Sequence, residues 1–79
     1  MDAKSKKEII KLCNDWGYEY EFMEGENKFI VYGKLNEDTF EQYVSDLLID
    51  DLLALNYHVL YVFYTNNKLE MTFGKDDKE

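Results

Sequence analysis

The sequence predicts a two-layer α+β fold, in which a four-stranded antiparallel sheet carries two helices on one face in the order α-β-β-α-β-β. Two segments with helical periodicity are each followed by two runs with strand periodicity, and short turns separate the runs. The 79 residues include no proline and no linker-like segment, and this length suits one domain. We therefore expect a single domain over residues 1–79, ordered from about 5 to 73, with a flexible acidic tail over 74–79.

The first helix is predicted over Lys6–Trp16. Ser5 and Glu8 fit the S-x-x-E pattern of a capping box at its start, and Gly17 is placed to end it in a left-handed conformation. One apolar stripe follows at helical spacing and consists of Ile9, Leu12, Cys13 and Trp16. Cys13 is thus expected in the core.

The first hairpin follows Gly17, where aromatic and acidic residues alternate in the manner of a half-buried strand. The alternating residues are Tyr18, Glu19, Tyr20, Glu21 and Phe22. A turn over 24–27 leads to a return strand over Phe29–Tyr32, which Gly33 ends. Two opposed pairs are expected on the inner face, Phe22 with Phe29 and Tyr20 with Val31.

The second helix is predicted to begin after an Asn36 cap and to run to about Leu55. Its expected apolar face consists of Phe40, Val44, Leu47, Leu48 and Leu55. A continuous helix would place Asp51 in the middle of that face, and Ile49 and Leu53 on the outside. Two interpretations remain open: a break near Asp50 and Asp51 with a separate last turn, or exposed anchors at Ile49 and Leu53 that are rimmed by Asp46 and Asp50.

The second hairpin is predicted from strands over Tyr57–Tyr64 and Leu69–Phe73, which an Asn66–Asn67 turn connects. The expected inner-face pairs are Tyr64 with Leu69, Val62 with Met71, and Leu60 with Phe73.

The opposite face of the sheet then combines large apolar groups with acids. It carries Glu19, Glu21, Met23, Ile30, Tyr32, Val59, Tyr61, Phe63, Glu70 and Thr72. An exposed apolar patch with an acidic rim is typical of a partner-binding surface. The alternative is that the strand over Tyr57–Tyr64 is central and that neighbouring side chains or the tail cover its outer face. A register slip of one residue would exchange the two faces.

The residues that carry enzyme chemistry are few. His58 and Cys13 are the only histidine and the only cysteine, so neither has a second soft ligand for zinc. Paired carboxylates such as Asp50 and Asp51 are expected at the solvated surface, and no EF-hand or phosphate-binding glycine loop occurs. We expect a protein that is not an enzyme and has no catalytic residue, no metal site and no cofactor.

Charge narrows the choice of partner. The chain has seventeen acidic residues and nine lysines, arginine is absent, and the net charge is −8. Such a field repels nucleic acid and attracts basic surfaces. We therefore predict a phage-type inhibitor and DNA mimic that occupies the basic groove of a host nuclease, restriction enzyme, CRISPR effector or polymerase. The expected partner-binding residues are Glu19, Glu21, Tyr32, Asp46, Asp50, Tyr61, Phe63 and Glu70.

Two other interpretations remain open. One is an adaptor or homodimerisation module that uses the aromatic sheet face, including a toxin-immunity protein; the other is an ordinary acidic domain whose charge serves solubility. No apolar run reaches the length of a membrane span, and one cysteine makes no internal disulfide. We expect no membrane partner and no direct nucleic-acid contact. The abundance of Lys, Asn, Tyr and Ile points to an A/T-rich coding source, which suggests the cytoplasm of a bacterium or of a phage-infected host cell.

Overall fold

The computed structural model of the chain describes residues 1–23 and 25–75. The helices are α1 (Ala3–Trp16) and α2 (Asp46–Ala54). The strands are β1 (Tyr20–Met23), β2 (Lys28–Tyr32), β3 (Lys34–Asn36), β4 (Glu41–Tyr43), β5 (Tyr57–Thr65) and β6 (Lys68–Lys75). The predicted α+β class with a four-stranded antiparallel sheet is confirmed, and β3 with β4 forms an additional two-stranded sheet.

The four-stranded sheet has the order β1-β2-β6-β5, and all its neighbouring strands are antiparallel. The predicted pairs Phe22–Phe29 and Tyr20–Val31 are confirmed. Strand β5 lies at one edge of the sheet, so the interpretation that made it central is wrong. The predicted tail begins too early, because Gly74 and Lys75 belong to β6; residues 76–79 lie outside the described part of the chain.

The start of α1 lies a turn earlier than predicted. The Asp2 carboxylate, and not the Ser5 hydroxyl, caps the helix by accepting a hydrogen bond from the Ser5 amide at 2.8 Å. That hydrogen bond favours the charged carboxylate and lowers the pKa of Asp2. The predicted C-terminal stop is confirmed: Gly17 has a φ of 76°, and its amide donates to the carbonyls of Asn14 and Cys13.

The predicted second helix is wrong over its first half, which forms the hairpin of β3 and β4. The Asn36 side chain does accept amide hydrogen bonds, from Asp38 at 2.9 Å and Thr39 at 3.4 Å, but it closes a turn. Phe40 then adopts a left-handed backbone with a φ of 60°, which turns the chain back into β4 and leaves its side chain exposed. Ser45 caps α2, since its hydroxyl accepts from the Leu47 amide at 3.2 Å.

Helix α2 passes through Asp50 and Asp51 without a break, so the predicted kink is wrong. Leu48 and Leu52 are fully buried, and Leu47, predicted on the apolar face, is exposed. Asp51 is exposed rather than central to that face, and its carboxylate accepts a hydrogen bond from the Trp16 indole at 3.2 Å. The shorter helix therefore buries a narrower face than the long one predicted.

The hairpin of β5 and β6 has the predicted turn, since Asn66 and Asn67 adopt φ values of 50° and 62°. The pairs Tyr64–Leu69 and Val62–Met71 are confirmed, whereas the predicted Leu60–Phe73 pair is wrong. A β-bulge between Val59 and Tyr61 brings Val59 opposite Phe73 instead. The bulge turns Leu60 to the other face, where its Cδ1 lies 2.7 Å from the position of a Cβ on Gly74. Val59 and Leu60 have thus exchanged the faces predicted for them.

The core lies between the helices and one face of the sheet. Its buried residues are Ile9, Cys13, Tyr18, Phe29, Val31, Val44, Leu48, Leu52, Tyr57, Leu69 and Phe73. The helices do not extend over the turn end of β5, because Val62 and Tyr64 face the helix side and yet are 56% and 53% exposed. Both residues lie on the predicted inner face but outside its packed part.

The small sheet is joined to β6 by the Gln42 side chain. Its Nε2 donates to the Asn67 carbonyl at 2.5 Å, and its Oε1 accepts from the Leu69 amide at 2.7 Å. The Gly33 amide donates to the Leu69 carbonyl at 2.9 Å. The Gly33 bond continues the β2–β6 ladder past the end of β2, and the two Gln42 bonds attach β4 to the turn end of β6.

Candidate protein-binding surface

The candidate site is the outer face of the sheet, the side turned away from the helices. On β6, Glu70 pairs with Tyr32 of β2 on one side and with Phe63 of β5 on the other. Tyr61 of β5 pairs with Thr72, two residues further along β6. Glu19 precedes β1, and its carbonyl accepts from the Tyr32 amide at 2.9 Å, which extends the pairing by one residue. Six of the eight predicted site residues therefore share this face: Glu19, Glu21, Tyr32, Tyr61, Phe63 and Glu70.

The acidic part of the outer face is organised around Tyr32. Its phenol donates a hydrogen bond to the Glu21 carboxylate at 2.7 Å. This bond is the main reason why the pKa of Tyr32 rises to about 12; partial burial and the nearby charges of Glu70 and Glu19 raise it further. Three carboxylates therefore create a negative field at one phenol.

A lysine lies within this acidic part. Lys68 Nζ is 4.7 Å from the centroid of the Tyr32 ring and 3.8 Å from Glu19 Oε1. The Lys68 and Glu19 side chains are 48% and 83% exposed, so solvent screens the pair and the attraction is weak. A partner cation can compete with Lys68 for Glu19 at little cost.

The aromatic part of the outer face lies on β5. The rings of Tyr61 and Phe63 stack with centroids 6.1 Å apart and planes 26° from parallel. The two residues are 54% and 52% exposed. Because stacking limits the rotamers of both rings, they present a partly ordered apolar surface at low entropic cost. Leu60, turned to this face by the bulge, adds a third apolar side chain that the sequence prediction placed on the inner face.

The remaining two predicted site residues lie elsewhere. Asp46 and Asp50 are exposed on α2, which packs against the opposite face of the sheet. The two residues predicted as exposed apolar anchors on the second helix differ in burial. Leu53 is exposed, whereas Ile49 packs against the core. The structure thus brings the sheet residues together and separates them from the acids of α2.

Further apolar residues are exposed outside the outer face. Val62 and Tyr64 lie on the helix side of β5, and Phe40 is exposed in the β3–β4 hairpin. A sequence signal for the bulge existed in Val59-Leu60-Tyr61-Val62-Phe63, where consecutive apolar residues hide the alternation that assigns faces. The separation of α2 from the outer face follows from the predicted architecture, which places both helices on the other face of the sheet.

Cys13 lies in the core, on the helix side of the sheet. Burial raises the pKa of the Cys13 thiol to about 11, which keeps the sulfur protonated at neutral pH. Within residues 1–23 and 25–75, His, Cys, Asp and Glu side chains form no group of three that could hold a metal ion. In the same part of the chain, neither helix has the length and apolarity required to cross a bilayer.

Comparisons of the chain with protein-family models, with curated proteins and with solved structures found no match. The fold and its surface therefore define the class: an α+β protein whose four-stranded sheet has one face packed by helices and one open face.

Proposed function

We propose that the protein is a small non-enzymatic inhibitor that binds a basic groove of a nucleic-acid-binding protein through its outer face. One observation carries the proposal. The open side of the sheet carries the carboxylates of Glu19, Glu21 and Glu70, and Glu70 lies opposite Phe63, whose exposed ring stacks on that of Tyr61. Carboxylates can replace phosphates against lysine and arginine, and exposed aromatics supply the area that dominates binding energy.

The overall charge supports the same mode of binding. A net charge of −8 on a 9.5 kDa chain accelerates encounter with a basic surface and repels polynucleotides. The aromatic rings of the outer face share it with acids rather than with a cluster of cations, which disfavours stacking of single-stranded nucleic acid there. We propose a protein partner and no direct nucleic-acid contact.

The proposed partners are nucleases, restriction enzymes, CRISPR effectors and polymerases of a host cell. The proposed binding takes place in the cytoplasm of that cell. Such enzymes expose grooves lined with lysine and arginine, which is the chemistry that the outer face complements. A toxin-immunity protein is the second candidate. The exposed apolar side chains at the turn end of β5 favour it, because a tight inhibitor needs a central apolar contact.

The test is affinity capture from a low-GC bacterial lysate at low and at high salt, with duplex DNA as a competitor. The wild-type chain should capture a nucleic-acid-binding protein at low salt, and duplex DNA should release it. The Glu19→Lys, Glu21→Lys double variant should lose that capture. The matched control is Asp50→Lys with Glu37→Lys, which makes the same charge change at exposed positions away from the outer face and should retain it.

Capture that resists high salt and ignores duplex DNA would contradict the proposal. So would an equal loss in both double variants, since that would reflect net charge and not the outer face. Circular dichroism of each variant confirms that the fold is intact.

A further inference from the structure

The outer edge of β5 has little of the usual protection of an edge strand. Within residues 1–23 and 25–75, the sheet order gives β5 a neighbouring strand on one side only. Its nine residues, YHVLYVFYT, contain no acid, no lysine and no proline. Natural edge strands are normally protected by charges, by proline or by bulges, because an open edge pairs readily with another strand. Here a single bulge, at Leu60, interrupts the edge.

Register shows which backbone groups this edge presents. A two-residue turn makes Thr65 and Lys68 a hydrogen-bonded pair, and hydrogen-bonded and non-hydrogen-bonded pairs then alternate along the hairpin. The backbone amide and carbonyl of Phe63 therefore bond to β6. The backbone amides and carbonyls of Val62 and Tyr64 point away from β6, toward the open edge. The edge from Tyr61 to Thr65 is regular and free of the bulge.

We propose that a second copy of this chain pairs with this edge in the antiparallel direction, about a two-fold axis at Phe63. Val62 of each copy then exchanges both backbone hydrogen bonds with Tyr64 of the other copy. The two four-stranded sheets become one continuous sheet. Because the axis is perpendicular to the sheet, both outer faces lie on the same side of it.

The charge distribution favours a second copy as the occupant. The acids that give the chain its net charge of −8 lie on other elements, so two β5 strands meet without opposing like charges in the paired segment. The side chains also match: the axis places Phe63 opposite its own equivalent, and Val62 opposite Tyr64. Apolar cross-strand pairs of this kind stabilise antiparallel ladders.

The contact in the proposed dimer is small. Pairing of residues 61–65 from each copy covers at most about 1,000 Å² in total, which is the low end for a specific interface. We therefore expect a dissociation constant in the micromolar range. The two negatively charged copies repel each other, and added salt screens this repulsion. Dimerisation should thus be unchanged or tighter at high salt, whereas binding of a basic groove weakens, so the two proposals fail independently.

The first test is sedimentation of the full chain across micromolar concentrations, at low and high salt. The wild type should show a concentration-dependent monomer–dimer equilibrium, and Val62→Lys should weaken dimerisation at least about tenfold. The control is Leu35→Lys, which introduces the same charge at a position that is 52% exposed on β3. A monomer at all concentrations, or equal weakening by both variants, would overturn the proposal.

The second test is oxidative cross-linking, which shows which residues of the two β5 strands lie opposite each other. Residues at position 63 form a non-hydrogen-bonded pair across the axis, where Cα atoms are about 4.5 Å apart, within disulfide range. Phe63→Cys should cross-link into a covalent dimer. Tyr61→Cys should not, because Thr65 of the other copy lies opposite. The native Cys13 is fully buried and should stay out of the reaction. A cross-link with Tyr61→Cys and none with Phe63→Cys would overturn the proposed pairing.

Discussion

Tyr32 and Glu21 are hydrogen-bonded across adjacent strands on the outer face, with the phenol 2.7 Å from the carboxylate oxygen Oε1. Tyr32 lies on β2 and Glu21 on β1, so the bond joins an edge strand of the sheet to its neighbour. It also fixes the position of a carboxylate that would otherwise sample several rotamers. The negative part of the outer face is therefore partly ordered in the free protein, which would lower the entropic cost of the proposed binding.

This bond predicts an unusual titration of Tyr32. Its pKa should lie near 12 rather than 10, mainly because the phenol proton bonds to Glu21. The Glu21→Gln variant, which keeps the shape and removes the charge, should lower the pKa of Tyr32 toward its usual value. NMR of ring-labelled tyrosine measures this pKa, and Tyr32→Phe assigns the signal.

The same bond makes the free energy of unfolding depend on pH. A raised phenol pKa means that its stabilising effect is fully present below pH 10 and is lost as the pH rises from 10 through about 12. The free energy of unfolding should fall over that interval more steeply in the wild type than in Tyr32→Phe. Identical pH dependence in the two proteins would show that the bond is absent in solution.

Gln42 is expected to contribute more to stability than any of its exposed neighbours on β4. Its side chain makes two hydrogen bonds to the backbone of Asn67 and Leu69, and Gln42→Ala leaves the part-buried Leu69 amide without its acceptor. The free energy of unfolding should fall by about 1–3 kcal/mol. Glu41→Ala, at the exposed preceding residue, should change it by no more than about 0.5 kcal/mol. Urea unfolding measures the free energy of unfolding of both variants. Equal losses in the two variants would exclude this role of Gln42.

Two glycines should respond differently to alanine. A Cβ on Gly33 would lie 2.9 Å from Leu69 Cβ and 3.2 Å from the Tyr43 carbonyl, which are atoms that cannot move independently of the backbone. Gly33→Ala should therefore cost about 1–3 kcal/mol. A Cβ on Gly74 would first meet Leu60 Cδ1, the end of a side chain that is 38% exposed and can rotate away. Thermal unfolding should show the smaller loss for Gly74→Ala, and the reverse order would refute the assigned position of Leu60.

Cys13 should be inert in the folded protein. It is fully buried, and burial raises the pKa of its thiol to about 11. Reaction with an aromatic disulfide reagent near neutral pH should be limited by unfolding and should become fast only in denaturant. Mass spectrometry of the modified protein gives the rate. Rapid labelling without denaturant would show that α1 opens locally.

Local signals predicted much of the fold. Periodicity located α1 and all four strands of the main sheet, and the Asn66–Asn67 turn determined the register next to it. The β3–β4 hairpin was missed because Asn36 offers the same side-chain oxygen to amides in a helix cap and in a turn. What separates the two is the left-handed backbone of Phe40, a residue type for which that conformation is rare.

The candidate site was predicted in part for similar reasons. Alternation along β1, β2 and β6 assigned Glu21, Tyr32 and Glu70 to one face, and pairing then brought them together. The face of Leu60 was misassigned because one bulge residue reverses the alternation for everything that precedes it in β5. Asp46 and Asp50 were predicted as the acidic rim of exposed anchors on the second helix, and that helix packs on the opposite side of the sheet.

The proposed function requires the outer face to bind cationic protein surfaces. The most direct measurement is NMR titration of the isotope-labelled full chain with a lysine- and arginine-rich peptide, at low and high salt. We predict amide shift changes concentrated around Glu19, Glu21, Tyr32 and Glu70 that shrink as salt rises. Shift changes concentrated on α2 around Asp50, or spread evenly over the acidic surface, would contradict the proposal.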